Sequence, residues 1–126
     1  MNAVMRHSSD TALVDIPTMR ETVTKLLGPA DGPGALTPAA EGLDLLTALL
    51  RGHLELLIPE VAEKAGQLPK DSIPRYCAEV CIGEAQGKLR ATPGPGPSGA
   101  VAYARRLARA LKTLCDHYEE LGSEHR

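Results

Sequence analysis

No phenylalanine and no tryptophan occur in this sequence, and tyrosine occurs only three times. A core without large rings must be filled by aliphatic side chains, and eighteen leucines and seventeen alanines are present to fill it. Leu and Ala are the strongest helix formers among apolar residues, so the composition favours helices over strands. The shortage of rings also removes the stacking platforms on which single-stranded nucleic acid is bound. An excess of basic charge is missing too: 14 Lys and Arg face 16 Asp and Glu, for a net charge of −2 and a pI near 6.1. That balance gives no whole-molecule attraction to nucleic acid or to an anionic membrane.

Long apolar runs are absent, the longest being a few residues where crossing a bilayer takes about 20. The opening "MNAVMRHSSD" is polar and lacks the basic-then-apolar order of a signal peptide. The expected location is therefore the cytoplasm. Cysteine is limited to Cys77, Cys81 and Cys115. An odd number of thiols in a reducing compartment argues against a disulfide framework. No Gly-rich phosphate loop is present, since "TPGPGPSG" is broken by proline and reads as a semi-rigid connector. Nothing in the sequence calls for a cofactor.

What is there is helical periodicity, punctuated by Gly/Pro clusters. At 126 residues the chain is one domain by size. The clusters "GPADGPGALTP" (28–38) and "TPGPGPSG" (92–99), with a weaker break at "GQLPKDSIP" (66–74), divide it into four segments. The first predicts a short helix over 16–27, with Ile16, Met19, Val23 and Leu26 on one side. Thr18 and Glu21 have capping-box spacing, Asp15 offers an alternative start, and Gly28-Pro29 ends the segment. The second begins at Thr37-Pro38 and extends to Gly66. Its Leu and Ile positions before Pro59 sweep an arc of roughly 220°, more than one neighbour covers. Pro59 removes a hydrogen bond and crowds the preceding turn, which predicts a kink or a break. The third helix starts at Asp71 or Ser72 and runs to about residue 91. Gly83 and Gly87 within it predict close approach by a neighbouring helix.

The fourth helix is predicted over 98–121, stopped by Gly122. Tyr103, Leu107, Ala110, Leu111, Leu114, Tyr118 and Leu121 share its apolar face, and Arg105, Arg106, Arg109, Lys112, Asp116 and Glu120 take the other. The expected fold is all-α: a small up-and-down helical bundle of three long helices plus a short N-terminal one. Residues 1–15 and 122–126 are expected as flexible tails around a single domain over 16–121.

The residues able to carry chemistry are few. Cys77 and Cys81 lie on one helical face, but a tetrahedral metal site needs two more ligands. Cys115 and His117 point about 200° apart on a helix, so they cannot both complete it. No metal site is expected. The simpler reading is that the cysteines are small core hydrophobes, with Cys77, near its helix start and Arg75, the best candidate for a reactive thiol. His53 falls near the middle of the second helix's apolar arc. A buried imidazole there is expected neutral and hydrogen-bonded to a carbonyl, hydroxyl or carboxylate across the core. A catalytic use would need one of the cysteines within its reach, so His53, Cys77, Cys81 and Cys115 make up the candidate pocket. The candidate partner surface is the broad apolar face around Leu45, Leu49 and Leu56, together with the basic run Arg105, Arg106 and Arg109. Basic residues early in a helix oppose its dipole, which hints at an acidic partner.

The stretches "RGHLELLIPEV", "IPRYCAEVCIGEAQGKLRA" and "YARRLARALKTLCDHYEEL" together resemble a family of small, all-helical, largely uncharacterised actinobacterial proteins labelled as accessory natural-product biosynthesis proteins. The resemblance covers about residues 16 to 121 and rests on packing patterns, so it implies a fold and a setting but no catalytic residues. The expected function is non-catalytic: binding of a protein or peptide partner, or of a second copy as a homodimer. The alternative is a small enzyme or small-molecule binder with a pocket between helices near His53 and the cysteines.

Overall fold

The computed structural model describes residues 14–28 and 40–124, and within them four α-helices and no strand. Helix α1 (Ile16–Leu27) occupies its expected span, with Ile16, Met19, Val23 and Leu26 buried as the periodicity requires. Its cap is Asp15 rather than Thr18. One carboxylate oxygen accepts the Thr18 amide at 3.2 Å and the other accepts the Thr18 hydroxyl at 2.8 Å. A carboxylate answers two donors there, and Pro17 in the first turn needs none. Gly28 closes the helix at φ 77°, in the left-handed region that side chains avoid.

Helix α2 (Ala40–Gly66) is unbroken through Pro59. The expected start at Thr37-Pro38 lies outside the described residues. The break does not occur because Pro59 and Glu55, whose carbonyl loses its partner, both face solvent, where water can replace the lost bond. The opposite side of the same turns, Leu54, Leu57, Ile58 and Val61, is locked in the core.

Helix α3 (Ile73–Arg90) is capped by Ser72, whose hydroxyl accepts the Arg75 amide at 3.1 Å. Gly83 and Gly87 do not meet a neighbouring helix: a Cβ added at either would find no atom within 4 Å. The inward face of α3 is carried instead by Ala78, Ile82 and Ala85.

Helix α4 (Gly96–Glu124) is longer than expected at both ends. It begins at Gly96 (φ 76°) rather than Ser98, and Gly99 packs directly on the backbone of Gly94, leaving no room for a Cβ. At the other end Gly122 does not stop it. Leu121 is buried, and its packing holds the last turn in place. Residues 122–124 are thus helical rather than tail, while residues 1–13 and 125–126 lie outside the described residues.

Helix α4 is the centre of the bundle and packs against all three others, most extensively against α2. Met19, Leu26, Leu50, Leu54, Leu57, Leu107, Leu111 and Leu114 are completely buried at these seams, so the all-α bundle expected from composition is the fold. Arginines contribute two polar ties between its helices. At the exposed edge, Arg20 of α1 donates to Asp116 at 2.9 Å and Glu119 at 2.7 Å, a pairing worth at most about 1 kcal/mol at such exposure. The second tie joins three helices. Arg51 of α2 donates to the Tyr103 hydroxyl of α4 and, at 3.0 Å, to the Leu89 carbonyl, while the Tyr103 hydroxyl donates to the Lys88 carbonyl at 3.2 Å. Both carbonyls lie in the last turn of α3, where the Lys88 carbonyl also accepts the Ala91 amide at 3.2 Å and the Leu89 carbonyl is an end group without the bond a longer helix would give it. A guanidinium there also meets the negative end of the α3 dipole. Among the described residues, no helix is long and apolar enough to cross a membrane.

Candidate functional site

The candidate pocket of His53 and three cysteines does not assemble. His53 is half-buried where α2 meets α1, and its Nε2 lies 3.3 Å from the Thr22 hydroxyl. Thr22 is the buried polar residue of α1, and its hydroxyl also donates to the Thr18 carbonyl at 3.2 Å. The imidazole is thus tied to a hydroxyl across the core, the arrangement expected for a buried neutral histidine. Burial holds its pKa below the ordinary value, with the nearby Asp15 carboxylate pulling the other way.

That shift has a sign. With a depressed folded-state pKa, the unfolded chain takes up protons first, so stability is whole above about pH 6.5 and is lost as pH falls toward the folded-state value. Urea unfolding at stepped pH should show His53→Gln flattening this acid limb relative to the parent chain. An unchanged limb would place the titration elsewhere.

Each cysteine meets a different fate. Cys115 is fully buried at the α1 seam of α4, and burial pushes its thiol up to about 11 even though Arg20 draws it back down. It is the core residue expected. Cys77 is exposed, against expectation, because the 3.6-residue pitch turns it to the outer side of α3. Cys81 is half-buried at the α3–α4 seam, and its Sγ lies 3.3 Å from His117 Nε2. His117, placed toward the polar side by its position on α4, is largely covered by α3, its side chain 16% exposed. Its other ring nitrogen, Nδ1, stands 4.0 Å from a Glu120 oxygen. Burial, then Glu84 and Cys77, raise the Cys81 pKa, and Lys88 opposes them.

The sequence placed Cys115 and His117 on opposite faces, and they are: one meets α1, the other α3. It held no signal that Cys81 would be what His117 meets. That register depends on how α3 docks. Among the described residues, no three His, Cys, Asp or Glu side chains converge as metal ligands do.

The expected apolar surface is present on α2. Leu45, Leu49 and Leu56 are exposed and, with Ala48, Gly52, His53 and Glu55, line a shallow depression of about 620 Å³. Leu45, Leu49, Gly52 and Leu56 follow at spacings of four, three and four residues, the 3.5-residue period of a helix-pairing seam. Gly52 leaves a notch in its middle, with no atom within 4 Å of where its Cβ would stand. Among the described side chains of α2, the exposed charges are Asp44, Glu55 and Glu63. Both of its long cations are engaged, Arg51 at the end of α3 and Lys64 at 4.7 Å over the Tyr118 ring.

The basic run does not join this surface. Arg109 lies at the α3–α4 seam, lining a small depression with Cys81, Glu84, Lys88, Ala110 and Thr113. Arg106 is exposed and Arg105 half-buried on α4. A second exposed apolar series, Ile73, Tyr76 and Val80 on α3, escaped the sequence reading. Its i, i+3, i+7 spacing was legible but indistinguishable from a core stripe.

A family model described as a family of unknown function (DUF6415) matches residues 17–123, which spans all four helices. No curated protein and no solved structure matches the chain.

Proposed function

The chain belongs to DUF6415, a family whose description names no activity, and we propose from its own surface that it is a non-catalytic accessory protein that docks a helix of a partner protein on α2. One observation carries the reading: Leu45, Leu49 and Leu56 stand exposed at helix-pairing spacing around the Gly52 notch. Apolar side chains in such a row are hydrated at a cost that a knob-bearing helix would remove. The rim selects the occupant. With Asp44, Glu55 and Glu63 outside and Arg51 and Lys64 turned inward, the surface favours an amphipathic helix flanked by Lys or Arg. A second copy, stripe on stripe, would set acid against acid and is disfavoured. The biological setting of the proposal, actinobacterial natural-product biosynthesis or its regulation, rests on the sequence resemblance alone.

The test uses the whole chain and a fluorescent amphipathic helical peptide with basic flanks. Leu49→Glu should weaken peptide binding by tenfold or more while changing stability by no more than about 0.5 kcal/mol, as befits an exposed position. An acid-flanked peptide of the same apolar face should bind worse than the basic one. Light scattering at micromolar concentration should return a monomer. A dimer abolished by Leu49→Glu, or binding indifferent to that change, would overturn the reading.

A further inference from the structure

The outer face of α3 carries a second unpartnered row, away from the α2 stripe. Ile73, Tyr76 and Val80 are exposed, Ile73 to 75% and Tyr76 to 67%. Gly83 and Gly87 continue the row, and neither has an atom within 4 Å of where a Cβ would stand. The five positions follow at spacings of three, four, three and four residues, the period of a helix-pairing seam. They lie opposite Ala78, Ile82 and Ala85, which face the core. We propose that this face is a homotypic contact, on which α3 of a second copy packs antiparallel.

The face selects its own copy because it is half knob and half notch. Ile73 and Tyr76 project from the N-terminal half, Gly83 and Gly87 leave the C-terminal half open, and Val80 stands between them. A parallel partner would set ring on ring and notch on notch. An antiparallel one sets the knobs of each copy over the glycines of the other. In that pairing, residues from opposite sides of the seam share a layer. Ile73 then meets Gly83 of the second copy, Tyr76 meets its Val80, and a two-fold axis repeats both layers. The glycines thus find the close neighbouring helix that the bundle itself does not give them.

Charge agrees with shape. One flank of the row carries the Arg75–Glu79 ion pair at 3.0 Å. The two-fold lays the two pairs head to tail, so each Glu79 has an arginine from either copy beside it, which offsets the approach of the two carboxylates. At each end, the exposed Lys70 and Asp71 ahead of the α3 cap come level with Glu84 and Lys88 of the second copy, and both signs stand on both sides. The α2 stripe, rimmed by Asp44, Glu55 and Glu63, has no such match to itself.

The contact is short. From Ile73 to Gly87 the row runs about 21 Å, and two helices touching over that length bury less than the roughly 1,200 Å² of a stable complex. The chain is therefore a monomer at micromolar concentration and pairs where copies are crowded toward millimolar or held together on one partner.

The test is a dilution series of the isotope-labelled chain from about 1 mM to about 20 μM, followed by amide NMR shifts. Concentration-dependent shifts should map to residues 70–88 and leave Leu45 and Leu49 unmoved. Val80→Glu should abolish them, and Leu49→Glu, which disables the α2 stripe, should not. Gly83→Leu fills the notch and should weaken pairing by about tenfold or more, while leucine in place of glycine makes the helix itself no less stable. Adding Ile73→Ala to Gly83→Leu moves the knob to the other side of the layer and should recover the pairing. Shifts that do not change with concentration, or that disappear with Leu49→Glu, would overturn the contact. A double variant that stays as weak as Gly83→Leu alone would overturn the antiparallel arrangement.

Discussion

Replacing Leu111 by alanine is expected to lower the unfolding free energy by about 3 kcal/mol, within the range seen when a buried leucine is truncated. Leu111 is fully buried on α4, the helix in contact with every other. Alanine is at least as good a helix former as leucine, so no part of the effect arises from propensity. The loss is that of apolar contact plus the void that remains. The void will not close easily, because the buried cluster to which Leu111 belongs is held on helices packed against one another. Urea denaturation should show the midpoint falling with an unchanged slope. On a domain of this length the melting temperature should drop by about 10 °C. A change below about 1 kcal/mol would mean that the helices slide together to fill the gap.

The second large effect is expected at Arg51. Its guanidinium satisfies the Tyr103 hydroxyl and the Leu89 carbonyl at the end of α3. Arg51→Ala would leave the Leu89 carbonyl short of a partner in a half-buried place, at a cost of about 1–3 kcal/mol, while the Tyr103 hydroxyl would keep its bond to the Lys88 carbonyl. Tyr103→Phe should cost less, because it removes one hydroxyl and leaves the guanidinium its bond to Leu89. A double-mutant cycle separates the two, and coupling of roughly 1 kcal/mol or more is expected for residues in one network. Amide exchange should report the same event locally, with protection lost first in the last turn of α3. Additive single effects would show that Arg51 acts by packing alone.

The helices were legible because each signal for them is local. The spacing of Ile16, Met19, Val23 and Leu26 placed α1, and the apolar face from Tyr103 to Leu121 placed α4. Termination was less legible, since a glycine stops a helix only where packing does not hold the next turn. Gly28 ended α1 and Gly122 did not end α4. Of the kink or break expected at Pro59, the break does not occur, for a related reason: the effect of the proline depends on whether the orphaned carbonyl faces water or core, and a linear pattern of residues leaves that open.

The candidate site divides in the same way. Exposure of Leu45, Leu49 and Leu56 was implied by an apolar arc wider than one neighbour covers, and the structure finds those residues uncovered. His53 bonded to a hydroxyl was expected as a type of contact, though Thr22 as its partner was not.

By itself the sequence determined the class of fold, the four segments and the facing of most side chains. Those properties follow from ring-poor composition and from repeats within a few residues. Only the tertiary structure decided which thiol is buried, which is open and which meets an imidazole. Cys81 and His117 are 36 residues apart in the chain, and their meeting depends on the rotation and axial shift at which α3 docks on α4. Those two quantities are set by the sum of all core contacts, and no short stretch of the chain encodes them.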